Sequence, residues 1–366
     1  MTPKRLRILF LEPFYGGSHR AFADGLTSHS RHRIELVTLP ARWWKWRMRG
    51  AALHFSRQVA DPQAFDLLLT SDLMSLSDLK ALWGPRCPKA AVYFHESQLT
   101  YPVAPGERMD YQFGFTDITT CLAADAILFN SHSHLNAFFD QLPRFLRKLP
   151  EYRPTWVIDA IRPKCAVRYP GCRLPAARDL PAKDESTPLV VWNHRWEHDK
   201  NPDAFFKALG QIKKQGIAFR LAVLGERFNN MPAAFATAEK QFLEETVQWG
   251  FLEDRRTYLE RLAQGTVVVS TARQENFGIA VVEAMACGCL PLLPRRLSYP
   301  ELLPADLHDE LLYTNTADLV NKLSGALSRP EKFAPQRRRL QRHVQRFAWP
   351  NCIDAFDRRF DELAAS

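Results

Sequence analysis

The 366-residue sequence contains no apolar run approaching the ~18 residues that a membrane-crossing helix requires, and stretches such as Val267-Val268-Val269 are strand-sized. Its seven cysteines include no C-x-x-C pair and are too sparse for a disulfide framework. Cys87, Cys121, Cys165, Cys172, Cys287, Cys289 and Cys352 therefore read as reduced thiols, and the compartment as the reducing cytoplasm. G-x-G-x-x-G is missing, so the dinucleotide fingerprint is not met. His95-Glu96-Ser97-Gln98-Leu99 is not H-E-x-x-H, which excludes a zincin centre. No repeat or low-complexity segment occurs, so solenoids and disorder are disfavoured. Near the start, Glu12 interrupts a short apolar run and no small-residue cleavage site follows; a first strand is expected there, not a secretory signal.

What is present is ordinary globular composition, 46% hydrophobic and 24% charged, and a length that suggests about two domains. Lys and Arg number 49 against 40 Asp and Glu, a net +9 that points to acidic partners: nucleotides, nucleic acid or an anionic surface. Short apolar strands alternate with amphipathic helical patterns. Strands are expected at 6–11, 34–39, 66–70, 90–95 and 126–130, and again at 189–193, 219–224, 246–250, 267–271 and 289–293. Helices are expected at 201–215, 232–245, 255–264 and 277–287. Nearly all-apolar strands alternating with helices imply parallel sheets covered on both faces. The pattern occurs twice, and Pro170, Pro175, Pro181 and Pro188 cluster at the break. Two doubly wound α/β domains, 1–180 and 188–345, are expected to face a central cleft, with ligands at the carboxyl ends of strands.

Several strand ends carry chemistry. Gly16-Gly17-Ser18-His19 follows the first strand, where paired glycines and a helix N-terminus can approach an anion or serve as a tight turn with Ser18 as cap. His95 follows the fourth strand. Arg195 and Lys200 share one strand-to-helix loop, the place where a diphosphate would be held. Glu275 and Glu283 are expected to bracket the first turns of a helix, about 12 Å apart, suiting one to a sugar and the other to a ribose, with N–H groups near Phe277 and Gly278 facing the phosphates. Arg42-Trp43-Trp44-Lys45-Trp46-Arg47-Met48-Arg49 interleaves cations with tryptophans, a mix that neutralises phosphates and stacks splayed bases but also suits packing. Further basic stretches run from Arg144 to Lys164 and from Arg337 to Arg342.

Arg195, Lys200, Glu275 and Glu283, with Ala284-Met285-Ala286-Cys287-Gly288 behind them, resemble the retaining glycosyltransferases of the GT-B fold over essentially the whole chain. A narrower resemblance lies in Glu12–His19, Thr38–Arg47, Tyr93–Pro102, Phe129-Asn130-Ser131 and Ile161–Cys165, which look like the tRNA-queuosine α-mannosyltransferases, with Ser97 standing where Asn is expected. The resemblance implies transfer of mannose from GDP-mannose to the cyclopentenediol of queuosine at the wobble position of tRNA-Asp. It implies a donor site of Gly16, Gly17, Arg195, Lys200, Phe251, Asn276, Phe277, Gly278, Ile279 and Glu283, in which Gly250-Phe251-Leu252 is the candidate base-reading loop. The acceptor tRNA would meet Ser18, His19, Arg42, Trp43, Trp44, Lys45, Trp46, Arg47, Glu96, Gln98, Arg162 and Lys164. Catalytic roles fall to His95, Arg195, Lys200 and Glu275, and residues 346–366 would cross back to the first domain. No D-x-D sequence occurs, so metal-independent transfer is expected; the expected partners are the nucleotide-sugar donor and tRNA, with the protein a monomer and not membrane-bound. Two other readings compete: the same enzyme acting on a lipid, polysaccharide or small-molecule acceptor, and a non-catalytic RNA-binding protein on a transferase fold. Retention of all four charged residues in the second half argues against the last.

Overall fold

The computed structural model describes residues 4–101, 110–181, 183, 187–227 and 231–366; Pro102, part of the resemblance above, lies outside them. The chain divides into two compact units, Met1–Cys172 with Phe347–Ser366, and Arg173–Arg346.

The first unit holds strands β1 (Arg7–Tyr15), β2 (Arg33–Pro40), β3 (Leu67–Ser71), β4 (Lys89–Phe94), β5 (Ala126–Phe129) and β6 (Cys165–Val167), all parallel in the order β2-β1-β3-β4-β5-β6. Their two-residue side-chain period sorts an apolar sequence into two cores. Leu9, Leu11, Leu68, Val92, Phe94, Ile127 and Phe129 face one side and pack with Phe55, Phe138 and Leu142. Ile8, Phe10, Leu67, Leu69, Tyr93 and Leu128 face the other and pack with Phe22 and Leu26 of helix Gly17–His29. That second face is completed by the final helix, Trp349–Ala365, through Trp349, Ile353, Phe356, Phe360 and Leu363. A three-to-four-residue spacing puts these on one stripe of the helix, so the end of the chain is part of the first core.

The second unit holds β7 (Leu189–Asn193), β8 (Arg220–Leu224), β9 (Thr246–Trp249), β10 (Val267–Val269), β11 (Leu290–Pro294) and β12 (Leu312–Tyr313), parallel in the order β12-β11-β10-β7-β8-β9. The loops after β7 and β8 touch: Trp196 donates its N–H to the Glu226 carbonyl at 3.1 Å. Gly225, at φ +125°, makes this possible, because a Cβ there would stand 1.9 Å from the His194 carbonyl oxygen.

The sixth strand of each sheet escapes the sequence reading: β6 is three half-buried residues at the sheet edge and β12 only two. The expected helix over 232–245 is shorter, Ala234–Gln241, and the chain leaves helical geometry at Phe242. The expected boundary at 180 also moves. Cys172 pairs with Ala348 in an isolated parallel bridge, which ties the end of the first unit to the start of the last helix. Beyond it, the Arg173 carbonyl accepts from Arg255 at 2.6 Å and Leu180 packs on the second unit's core, so 173–180 belongs to that unit.

Candidate active site

In each sheet the chain winds outward in opposite directions from one strand pair, and at such a switch point the loops diverge and leave room for a ligand. In the first unit the pair is β1 and β3. Glu12 is a fully buried carboxylate inside β1, and its Oε1 accepts from Phe14 N–H at 2.8 Å and Ser71 hydroxyl at 3.0 Å, and pairs with His19 Nδ1 at 3.2 Å. Burial disfavours a charged imidazole, yet the Glu12 carboxylate outweighs it, with Asp72 and Glu96 beyond, and pushes His19 up to about 9. His95 stands one residue past β4, its N–H donated to Asp72 Oδ1 at 2.8 Å and its carbonyl accepting from Asn130 Nδ2 at 2.8 Å. Burial, then the charge on His19, hold the His95 imidazole well below its usual range. The centre thus sets a cationic and a neutral imidazole side by side. Asp72 is pushed well above the usual carboxylate range by its burial.

Among the described residues, Glu12, His19 and His95 form the group whose three metal-ligating atoms lie within 4.8 Å of one another. Glu12 Oε1 is already committed to its three donors, so a cation there would have to use Oε2 or displace the ion pair.

In the second unit the switch pair is β7 and β10. The loop after β7 carries Arg195, whose side chain is half exposed and reaches Glu197 at 3.1 Å. Lys200, by contrast, is buried, and its ammonium donates to the Gln274 carbonyl (2.8 Å), Asp199 (3.1 Å) and Glu275 Oε2 (3.3 Å). Burial opposes its charge, but Glu275 and Asp199 prevail and raise its pKa. The Thr271 hydroxyl binds the Lys200 and Asn201 carbonyls, both at 2.9 Å, so the loops after β7 and β10 are locked together.

Glu275 precedes the helix and Glu283 lies within it, as bracketing glutamates should, but the helix opens two residues later than expected. The helix runs Ile279–Ala286 with Gly278 as its cap at φ +100°, and Glu275 belongs to the preceding loop. A positive φ is needed to turn that loop into the helix, and glycine supplies it without a Cβ penalty. Glu283 is buried inside the helix; Arg255 holds Oε1 at 2.8 Å and the Tyr258 hydroxyl donates to Oε2 at 3.1 Å. Burial raises its pKa, partly offset by Arg255. Phe277 is buried, and its carbonyl and that of Glu275 both accept from Ser298 Oγ, at 2.8 and 3.4 Å. Asn276 Oδ1 accepts from Gln274 at 3.0 Å, Ile279 opens the helix half-buried, and Phe251 is exposed after β9.

The residues proposed for tRNA divide. Arg42, Trp43, Lys45 and Trp46 face outward around the start of helix Trp44–Gln58, with Trp43 67% and Trp46 76% exposed and the Arg42 guanidinium 4.8 Å above the Trp43 ring. Trp44 instead packs on Phe113, ring centroids 5.0 Å apart, and Arg47 donates to the Pro40 carbonyl at 3.2 Å. Ser18 is exposed on the first turn of helix Gly17–His29, while Gly16, in extended conformation, caps that helix, and Gly17 takes φ +50°. His19 turns inward to Glu12, which corrects its assignment to an RNA-facing surface. Lys164 is also a correction: its ammonium reaches the carbonyls of Leu122 (2.8 Å), Ala124 (2.9 Å) and Cys121 (3.5 Å), closing the end of helix Tyr111–Ala123. The Arg162 guanidinium lies 4.0 Å above Phe139. Glu96 accepts from Gln98 at 3.2 Å, and the Gln98 N–H is held by buried Asp117 at 2.8 Å, the same carboxylate that accepts from Ser97. In the arginine run, Arg337 is buried and Arg339 pairs with Asp306 at 2.5 and 2.8 Å.

Sequence reasoning did not select Glu12, Asp72, Asp199, Arg255 and Tyr258 as site residues. Glu12 had a signal, a carboxylate inside an apolar strand. Arg255 had none, because its partner lies on another helix.

Solved structures share this architecture. A crystal structure of Anabaena HepE with UDP superposes with a TM-score of 0.71 at 14% identity, covering 98% of this chain and 100% of that one. Sucrose-phosphate synthase from Thermosynechococcus elongatus gives 0.71 at 16%, covering 99% and 100%. The fold is GT-B, two parallel-sheet units of the glycosyltransferase kind. Residues 175–345 match the family model "Glycosyl transferases group 1", and residues 7–172 match "tRNA-queuosine alpha-mannosyltransferase N-terminal". A Drosophila melanogaster protein named tRNA-queuosine alpha-mannosyltransferase is 38% identical over 352 residues, 92% of this chain and 91% of that protein. A Mycobacterium tuberculosis GDP-mannose-dependent phosphatidylinositol dimannoside mannosyltransferase is 26% identical over 162 residues, 44% of this chain and 40% of its own. The chain is a glycosyltransferase. It belongs to the tRNA-queuosine alpha-mannosyltransferase family.

Among the described residues no helix is long and apolar enough to cross a membrane.

Proposed function

We propose that this protein transfers mannose from GDP-mannose, with retention of configuration, to the cyclopentenediol of queuosine at the wobble position of tRNA-Asp. The observation that carries the reading is the likeness to the Drosophila queuosine enzyme, which runs through both units rather than the common donor unit alone. The donor follows from that likeness and from the GDP-mannose dependence in the name of the mycobacterial relative.

In this reading the C1–O bond to the GDP diphosphate breaks while the acceptor oxygen bonds C1 from the same face, and the acceptor proton passes to the departing phosphate oxygen. Arg195, solvent-accessible in the loop after β7, binds the developing phosphate charge, and the N–H groups after Gly278 serve as further donors to it. Lys200 acts from behind, fixing the loop that presents Glu275 to the hexose hydroxyls and contributing its positive field. Glu283, clamped by Arg255 and Tyr258, takes the ribose hydroxyls. His95, neutral and anchored by Asp72 and Asn130, orients the acceptor hydroxyl or the sugar. Side-chain cations meet the diphosphate charge, so no metal ion is required, and the outward Trp43 and Trp46 with Arg42 and Lys45 receive the RNA.

The test is transfer of radiolabel from GDP-mannose to queuosine-containing and queuosine-free tRNA-Asp by the purified chain. Label on the queuosine form alone is expected. Donor hydrolysis with label on neither tRNA overturns the acceptor, and turnover of a different nucleotide sugar overturns the donor.

A further inference from the structure

Four non-glycine residues among those described adopt positive φ: Trp43, Tyr152, Asn201 and Leu297. Aromatic side chains resist this conformation, which costs roughly 1–2 kcal/mol, so two exposed aromatics held in it are unusual. Trp43 belongs to the tryptophan-rich segment. Tyr152, at φ +48°, lies in a different part of the first unit, 88% exposed, with Trp156 61% exposed four residues later.

The surroundings of Tyr152 are cationic. From Arg144 to Trp156 there are four basic residues, Arg144, Arg147, Lys148 and Arg153, all exposed, against the single acid Glu151. The segment coils tightly: Arg153 Nε donates to the Leu149 carbonyl at 3.0 Å, and Lys148 Nζ sits 5.6 Å over the ring of exposed Tyr111. Tyr111 opens the helix Tyr111–Ala123 that carries Phe113, the partner of Trp44, so this patch and the tryptophan-rich segment border the same helix. Exposed rings interleaved with cations along 144–156 supply the two groups a single strand asks for, cations for its phosphates and π-faces for its bases, each stacked base contributing whatever its identity. A folded-protein partner would favour a continuous apolar face; here the exposed rings alternate with basic residues along the chain.

We propose that Tyr111, Lys148, Tyr152, Arg153 and Trp156 form a second single-stranded RNA subsite, which stacks unpaired bases of the acceptor away from the nucleotide being glycosylated. The inference rests on the queuosine-tRNA reading for its biological ligand, but not for its chemistry. Arg153 and Lys148 take phosphates; Tyr152 and Trp156 stack bases.

Binding of a fluorescent single-stranded oligoribonucleotide and of tRNA-Asp is measured by anisotropy at several salt concentrations, alongside mannose transfer. The double variant Tyr152→Ala/Trp156→Ala is expected to bind both RNAs at least about tenfold more weakly and to raise the KM for tRNA in proportion, with kcat at saturating tRNA unchanged. Tyr152→Phe/Trp156→Phe should restore binding to within about twofold, since it keeps the rings. Lys148→Glu/Arg153→Glu should weaken binding and flatten its salt dependence. All these side chains are exposed, so the variants fold. An unchanged Kd and KM in the alanine variant, with the wild type active on queuosine tRNA, overturns this subsite and leaves the function intact. Wild-type protein that binds the oligonucleotide through these residues but transfers nothing supports the subsite and overturns the function. Failure of the wild type to bind any RNA overturns both.

Discussion

The imidazole rings of His19 and His95 stack with centroids 4.0 Å apart and planes inclined by 32°, although one residue follows β1 and the other follows β4. The pair is asymmetric in charge: His19 is ion-paired with Glu12 at 3.2 Å, while burial and the His19 charge hold the His95 imidazole well below its usual range. A cationic ring against a second ring makes protonation of that second ring unfavourable, so Glu12 acts on His95 through His19. In the proposed reaction a neutral His95 can accept a hydrogen bond from a hydroxyl, which an imidazolium cannot.

This arrangement makes stability depend on pH. The folded pKa of His19 is raised from 6.5 to about 9, so its contribution is fully present below pH 6.5 and is lost as the pH rises through about 9. The shift corresponds to about 3 kcal/mol. Glu12→Gln removes the cause and should lower urea stability at pH 6 far more than at pH 9.5. Denaturation curves of the two proteins at both pH values check this, and an equal loss at both would show that Glu12 does not hold the proton on His19.

Arg195 and Lys200 should separate activity from stability. Arg195→Ala removes a half-exposed cation whose partner Glu197 is half-buried, so the melting temperature should move far less than for loss of buried Lys200. Its kcat/KM should fall by the equivalent of about 2–4 kcal/mol, as for loss of a single charge-stabilising donor. Lys200→Ala leaves Asp199 and Glu275 buried without their cation, which should cost about 3–5 kcal/mol of stability as well as activity. Thermal melts beside transfer kinetics distinguish the two, and a destabilised but fully active Lys200→Ala protein would remove it from the site.

Gly225 and Gly17 both have positive φ, but their surroundings differ. A Cβ at Gly225 would collide with the His194 backbone, whereas at Gly17 nothing lies within 4 Å. Gly225→Ala should therefore cost more than about 4 kcal/mol, and Gly17→Ala only the conformational ~1–2 kcal/mol. Chemical denaturation of both variants gives the ordering directly.

Trp349 anchors the final helix. Its ring occupies space that a Cβ at Gly25 or Gly171 would enter, at 1.9 and 2.1 Å, and lies 5.8 Å from Phe22. Trp349→Ala should destabilise the first unit by about 3–5 kcal/mol. Hydrogen exchange should rise in helix Gly17–His29 and in Trp349–Ala365, and leave the second unit's strands unaffected.

The parallel, doubly wound class was legible because five strands in each half are long enough and apolar enough to be recognised. The strand Leu189–Asn193 and the helix Arg255–Gln264 coincide with their expected limits. The edge strands β6 and β12 were not legible: β6 is three half-buried residues and β12 only two, whereas β10, equally short, is a fully buried valine run. The charged residues after β7 and β10 were visible as strand-end side chains. Their pairing was not: Lys200 looked like a phosphate ligand, and only the fold shows Asp199, Glu275 and the Gln274 carbonyl consuming its donors.

What the sequence by itself determined is the period and composition of the elements, because apolar alternation and helix-breaking residues act within a few positions of one another. It also determined the chemical kinds at the strand ends, and the resemblance they carry. The tertiary structure alone decided which of those groups are charged, buried or presented. Glu12 meets Ser71, Arg255 meets Glu283 and Lys164 meets the Leu122 and Ala124 carbonyls only because distant segments are brought within about 3 Å, the range in which hydrogen bonds form and burial makes charge costly.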